Sequence, residues 1–150
     1  MHSKINTVKI DLSLGTCTQE TSPTNYFFAI MQKQSIVGQK SFDFSKRIIL
    51  FHLSTLKKYP SMYPLSTQLL KSGTSIGANI EEGLAGYSDR DLMSKFGIAL
   101  KEAREAKYWL RLFRETLTLN EQEVNELIYL VTEIIKIVTA ILKTMKQRAK

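Results

Sequence analysis

The sequence has a single cysteine, Cys17, so no disulfide can form within one chain and no CxxC pair can hold a metal. Histidine is nearly as scarce. His2 and His52 are the only two, too few to favour a zinc site. Three prolines and seven glycines in 150 residues exclude a collagenous or loop-dominated chain. Strand-like alternation of polar and apolar residues is scarce. No uncharged run is long enough for a transmembrane helix. The N-terminus lacks the basic-then-apolar order of a secretory signal, so a reducing cytoplasm is the expected compartment.

What is present is a sound apolar content, 43%, and a surplus of positive charge, 21 Lys and Arg against 14 Asp and Glu. The length suits one domain. A formal charge of +7 suits an anionic partner, nucleic acid or less often a membrane surface, with plain solubility as the competing account.

Residues 1–40 sustain no amphipathic period. "GTCTQETSPTN" (15–25) is polar and mixed, and "YFFAIM" (26–31) is a short apolar run that suits a strand or a helical turn. The expectation is a poorly ordered N-terminal extension over 1–40, with Met31 as an alternative start, followed by a helical domain over 41–150. In that domain Phe44, Ile48, Ile49, Leu53 and Leu56 mark the apolar face of a first helix that stops before Pro60 and Pro64. A second helix spans about 65–84. Ser88, with Asp91 three residues on, caps a third that runs to about Thr116. Asn120 and Glu123 repeat that cap before the fourth. There Val124, Val131, Val138 and Met145 recur every seven residues, and Leu127 or Ile128, Ile134 or Ile135, and Ile141 or Leu142 fill the second seam position. The predicted fold is all-α, an antiparallel up-down-up-down four-helix bundle.

"SGTSIGANIEEG" (72–83) tests whether this is a nucleotide-binding chain. A P-loop requires Lys-Ser or Lys-Thr after its glycines, and a dinucleotide fingerprint requires GxGxxG; neither is present. On a helix the stretch reads differently. Leu65, Leu69, Gly73, Ile76, Ile80 and Leu84 share a face, and Gly73 with Gly77 lets a neighbouring helix approach closely. Each helical glycine costs about 1 kcal/mol relative to alanine, which close packing offsets. Beside that face Gln68, Ser72, Ser75, Asn79 and Glu82 form a polar stripe spaced four, three, four and three. It is expected to act as a structural hydrogen-bond network, buried or facing a second subunit; a solvated face of short side chains is the alternative.

"QLLKSGTSIGANIEEGLAGYSDRDLMSKFGIALKEAREAKYWLRL" (68–112) resembles the four-helix-bundle family encoded in intervening sequences of bacterial 23S ribosomal RNA genes. That family includes the accessory variability proteins of diversity-generating retroelements. The resemblance runs from about Lys40 to the C-terminus. It is most specific in "SGTSIGANI" with Glu82 and in "IALKEAREAKYWL" (98–110); Glu81 stands where many relatives have alanine. It implies a ring-like homo-pentamer. For retroelement members it implies binding to RNA or DNA and to a reverse transcriptase. It implies no activity for most other members.

On the third helix Ile98, Ala99, Ala103, Ala106, Trp109, Leu110 and Phe113 gather on one side. Lys101, Arg104, Lys107, Arg111 and Arg114 gather opposite, within about 140° at 100° per residue. From Asp91 to Arg114 there are six basic and three acidic residues. The five cations are the expected nucleic-acid contacts; a solvated face laced with Glu102, Glu105 and Glu115 is the plain alternative. Tyr108 and Leu112 fall outside the apolar face and are the expected oligomer interface. Lys136, Lys143, Lys146, Arg148 and Lys150 make the C-terminal segment wholly basic, which also complements the helix dipole. His52 reads as a core histidine bonded to a carbonyl, since no catalytic partners accompany it. Glu81, Glu82, Asp89 and Asp91 lack EF-hand spacing, so neither a metal nor another cofactor is expected. The sequence reads as a non-enzymatic, oligomeric nucleic-acid-binding protein, with an oligomeric protein-binding scaffold as the alternative and an enzyme the third choice.

Overall fold

The computed structural model of the chain describes residues 23–148, so His2 and Cys17 lie outside the described residues. Four helices follow one another: α1 (Pro23–Lys58), α2 (Tyr63–Leu84), α3 (Asp89–Thr116) and α4 (Glu121–Arg148), with a 3-10 turn at Pro60–Met62 between the first two. The fold is an all-α four-helix bundle. Adjacent helices pack in the order α1, α2, α3, α4 and back to α1, while the diagonal pairs stay apart.

Each helix buries residues alternately three and four apart. The rows are 37, 41, 44, 48, 51 and 55 on α1, then 66, 69, 73, 76, 80 and 83 on α2. They are 96, 99, 103, 106, 110 and 113 on α3, and 124, 127, 131, 134, 138, 141 and 145 on α4. A mean step of 3.5 residues keeps each row on the bundle axis when the helices supercoil gently around one another. Burying one such Val, Leu, Ile or Phe is worth about 1.5–3 kcal/mol, so these rows carry the stability.

The α1–α2 seam shows why α2 is rich in small residues. A Cβ at position 73 would stand 2.8 Å from Ile48 Cγ2, and one at 77 would stand 2.9 Å from Ser45 Oγ. Ser45 Oγ donates to the carbonyl of Gly73 at 3.2 Å. Gly38 faces Leu84. Contacts advance along α2 as they retreat along α1, so the two helices run in opposite directions. The α1–α4 seam runs likewise, with Lys58 Nζ on the Thr118 carbonyl at 2.6 Å and Arg47 on Glu126 at 2.8 Å. A hydrogen bond from Gln122, then one from Arg47, holds the Glu126 carboxyl below its usual range.

The caps of α3 and α4 form as the sequence suggests. Ser88 Oγ accepts from the Asp91 amide at 3.1 Å, and Asn120 Oδ1 accepts from the Glu123 amide at 3.2 Å. Each satisfies one of the amides a helix start leaves open.

Two expectations are corrected. The extension expected over 1–40 is helical from Pro23 onward, and Val37 and Gly38 are buried. Proline at a first helical position costs no hydrogen bond, so Pro23 is compatible with a helix start there. Residues 1–22 lie outside the described residues. The apolar face of α1 is also rotated from the one expected. Phe44 and Ile48 are buried, but Ile49 is 44% and Leu53 59% exposed. Their places inside go to Phe51, His52 and Thr55, and Ser41 joins the same row. At the ends of α2, Leu65 and Leu84 are likewise exposed.

Candidate nucleic-acid interface

Helix α3 is fixed in rotation by what it buries. Ala99, Ala103 and Ala106 are fully buried and small, with Phe96, Leu110 and Phe113 filling the ends. Gly83 of α2 accepts the Phe96 ring so closely that a Cβ there would lie 2.8 Å from Cδ1. With that side committed, the opposite side faces solvent.

Lys101, Arg104, Arg111 and Arg114 are exposed there, and Lys107 is half-buried toward α4. Arg114 is occupied. It donates to Glu115 Oε1 through Nε at 3.0 Å and Nη2 at 2.8 Å, and to Asn125 Oδ1 at 3.2 Å. The other four form no ion pair with any described residue. Two acids of α3 stand beside them: at 100° per residue Glu105 lies about 40° from Lys101, and Glu115 about 40° from Arg111. Glu102 lies on the flank toward α2, near Lys71; burial, then Glu105, pushes its carboxyl above the usual range, while Lys71 draws it down. Glu105 accepts from the Trp109 indole at 3.2 Å. Glu115 is on the outer side but is held by Arg114. From 101 to 111, about 15 Å at 1.5 Å per residue, the outer arc therefore carries cations with one aromatic among them and Glu105 at its edge.

Tyr108 stands within that arc, 57% exposed. Its ring meets Trp109 edge-on, with centroids 5.1 Å apart and an interplanar angle of 69°. Leu112, expected beside it at a subunit contact, is half-buried.

Among the described residues the polar stripe of α2 makes no network between helices through Gln68, Ser72, Ser75 or Asn79. Ser72 Oγ bonds the Gln68 carbonyl at 3.0 Å, and Asn79 Nδ2 donates to the Ser75 carbonyl at 2.9 Å and to Ser75 Oγ at 3.1 Å. Only Glu82 reaches another helix, pairing with Lys95. Short polar side chains on a helix return readily to the carbonyl one turn back, which competes with cross-helix bonding. Asn79→Leu should therefore change stability by less than about 1 kcal/mol, because no group on another helix loses its partner. Thermal unfolding checks this; a loss of about 2 kcal/mol or more would reveal a partner outside the single chain.

His52 is buried, and its Nδ1 lies 2.7 Å from Ser66 Oγ, so its partner is a hydroxyl rather than a carbonyl. Nearby on α1, the buried Thr55 hydroxyl has no hydrogen-bond partner among the described residues. Among the described residues no three of His, Cys, Asp and Glu gather as metal ligands. None of the described helices is long and apolar enough to cross a membrane. On α4, Lys143 and Lys146 are exposed and Lys136 pairs with Glu133 at 3.1 Å. The Arg148 side chain and Lys150 lie outside the described residues.

Comparison with known proteins places this geometry. No curated protein matches the chain. A solved structure of a protein of unknown function from the S23 ribosomal protein family of Bacteroides thetaiotaomicron is 38% identical. It superposes with a TM-score of 0.68 over 74% of this chain and 98% of its own. Residues 33–140 match the family described as 23S rRNA-intervening sequence protein, a span that holds all of α2 and α3 and most of the other two helices. The chain belongs to the 23S rRNA-intervening sequence protein family.

Proposed function

We propose that the chain is a non-enzymatic nucleic-acid-binding protein that contacts the phosphates of RNA or DNA through the outer face of α3. The observation that carries this reading is the run of cations on that helix: Lys101, Arg104, Lys107 and Arg111 lie on one arc without an ion pair to any described residue, while Glu102 sits on the flank near Lys71 and Glu105 is bonded to the Trp109 indole. Phosphate contacts of this kind give affinity without much sequence preference. The family's name supports an RNA intervening sequence as its setting, and the retroelement likeness supports a reverse transcriptase as a protein partner. Cytoplasmic placement follows from either. A gel-shift titration of structured RNA and duplex DNA at rising salt tests the reading. Four phosphate contacts give a fall in affinity on the order of 100-fold between about 50 and 200 mM salt.

A second reading, an oligomeric protein-binding scaffold, is favoured by α1. Its outer face exposes Phe42 at 63%, Ile49 at 44%, Leu50 at 59% and Leu53 at 59%. Exposed apolar patches of this kind usually mark a partner surface. Assembly belongs to both readings. A homo-oligomer, a pentamer by family likeness, should use this α1 row in preference to Tyr108 and Leu112, since Tyr108 stands among cations and Leu112 is half-buried. Light scattering after size exclusion should give an oligomer for wild type and a lower mass for the Leu50→Asp, Leu53→Asp pair. A wild-type monomer at tens of micromolar would defeat the assembly; an undiminished oligomer in the variant would move the contact elsewhere.

A further inference from the structure

Tyr108 is the one aromatic side chain within the cationic arc of α3, and it is 57% exposed. At 100° per residue Lys101, Arg104 and Arg111 all project within about 60° of it, as do two acids, Glu115, which is paired with Arg114, and Glu105. Its ring leans edge-on against Trp109, which is itself tied to Glu105. The ring is thus partly ordered before anything binds, and more than half of the residue stays exposed to solvent. Cations spaced one and two turns along a helix can meet successive phosphates of a strand. A flat aromatic face among them has no use against a duplex, whose bases are already stacked and turned inward.

We propose that Tyr108 is a stacking platform for an unpaired base, so that the α3 face prefers single-stranded segments, loops or bulges over duplex. This rests on the reading of α3 as a phosphate-binding face and adds to it the class of strand recognised. Stacking of a base on an aromatic side chain is tolerant of sequence and is lost when the ring is removed. Lys101, Arg104 and Arg111 would hold the flanking phosphates while Tyr108 holds the base.

Three probes of equal length separate the contributions: a thymidine strand, an abasic strand with the same phosphates, and a duplex. Fluorescence anisotropy should find wild type binding the thymidine strand about 5- to 100-fold more tightly than the abasic strand. Tyr108→Ala should abolish that difference and leave duplex and abasic affinities as they were. Tyr108→Phe should keep it. Trp109 is the only tryptophan, so its fluorescence should respond to the thymidine strand and not to the abasic one. Equal binding of the thymidine strand by wild type and Tyr108→Ala would overturn the stacking role while leaving the phosphate-binding face intact. So would an equal loss on all three probes, which would make Tyr108 a support of the helix surface. If wild type binds none of the three, the phosphate-binding face fails and the stacking role with it.

Discussion

Changing Arg104, Lys107 and Arg111 together to Glu is expected to lower affinity for structured RNA or duplex DNA by at least about 100-fold at moderate salt. Three phosphate contacts are removed, and three negative charges are set against the backbone in their place. The salt dependence should flatten as well. Each lost contact removes about 0.9 from the slope of log affinity against log salt on a duplex, so the slope should fall by roughly 3. Helicity and assembly should be retained, because none of the three pairs with another described residue and the helix is held by its opposite face. Circular dichroism and light scattering provide that control. A triple variant that binds as wild type does would make the arc an ordinary solvated face and turn attention to Lys143 and Lys146 on α4.

Gly73→Leu is expected to be the most damaging single substitution on the α1–α2 seam. Even a lone Cβ there would sit 2.8 Å from Ile48 Cγ2 and 3.0 Å from Cγ1. Ile48 is fully buried and branched at Cβ, so it has nowhere to swing. Overpacking typically costs about 1–3 kcal/mol, and a leucine adds three further carbons to a gap that cannot hold the first. A net loss of about 3 kcal/mol or more, after the gain in helix propensity, corresponds to a melting temperature lower by roughly 10 °C. Gly97→Leu is the matched control. Nothing lies within 4 Å of a Cβ at that position, so the same exchange should be neutral or mildly stabilising. Equal melting temperatures for the two variants would mean that α1 and α2 separate at 73 without cost, and that glycine there serves no close approach.

The fourth helix was the most legible because an aliphatic side chain occupies every seam position, and all of Val124, Val131, Val138 and Met145 are buried. The first was not, because Ser41, His52 and Thr55 take inward places while Ile49, Leu50 and Leu53 face out. A hydrophobic pattern read alone then points roughly a quarter of a turn away from the true core at 100° per residue. The close approach at Gly73 and Gly77 could be inferred from their four-residue spacing. The Gly83–Phe96 contact could not, since its partner lies on another helix. On α3 the wheel turned Lys101, Arg104, Arg111 and Arg114 outward as they are found, but Lys107 is half-buried and Ile98, placed on the apolar face, is exposed. It could not tell that Arg114 is spent on Glu115 and Asn125, nor that Tyr108 is held by Trp109, because both depend on rotamers.

The pairing of each helix with its neighbours in the chain also bears on how the bundle forms. Three of its four seams join consecutive helices, and only the α1–α4 seam spans the whole domain. Chain closure over short turns loses little entropy, so the hairpins α1–α2, α2–α3 and α3–α4 can each form without waiting for the rest. Bundles with such local connectivity fold within microseconds to milliseconds. Closure of the α1–α4 seam is the one step that must bring distant parts of the chain together, where Arg47 meets Glu126 and Lys58 meets the Thr118 carbonyl. That seam is accordingly where the folding barrier should be felt, and where the native bundle should first open to hydrogen exchange.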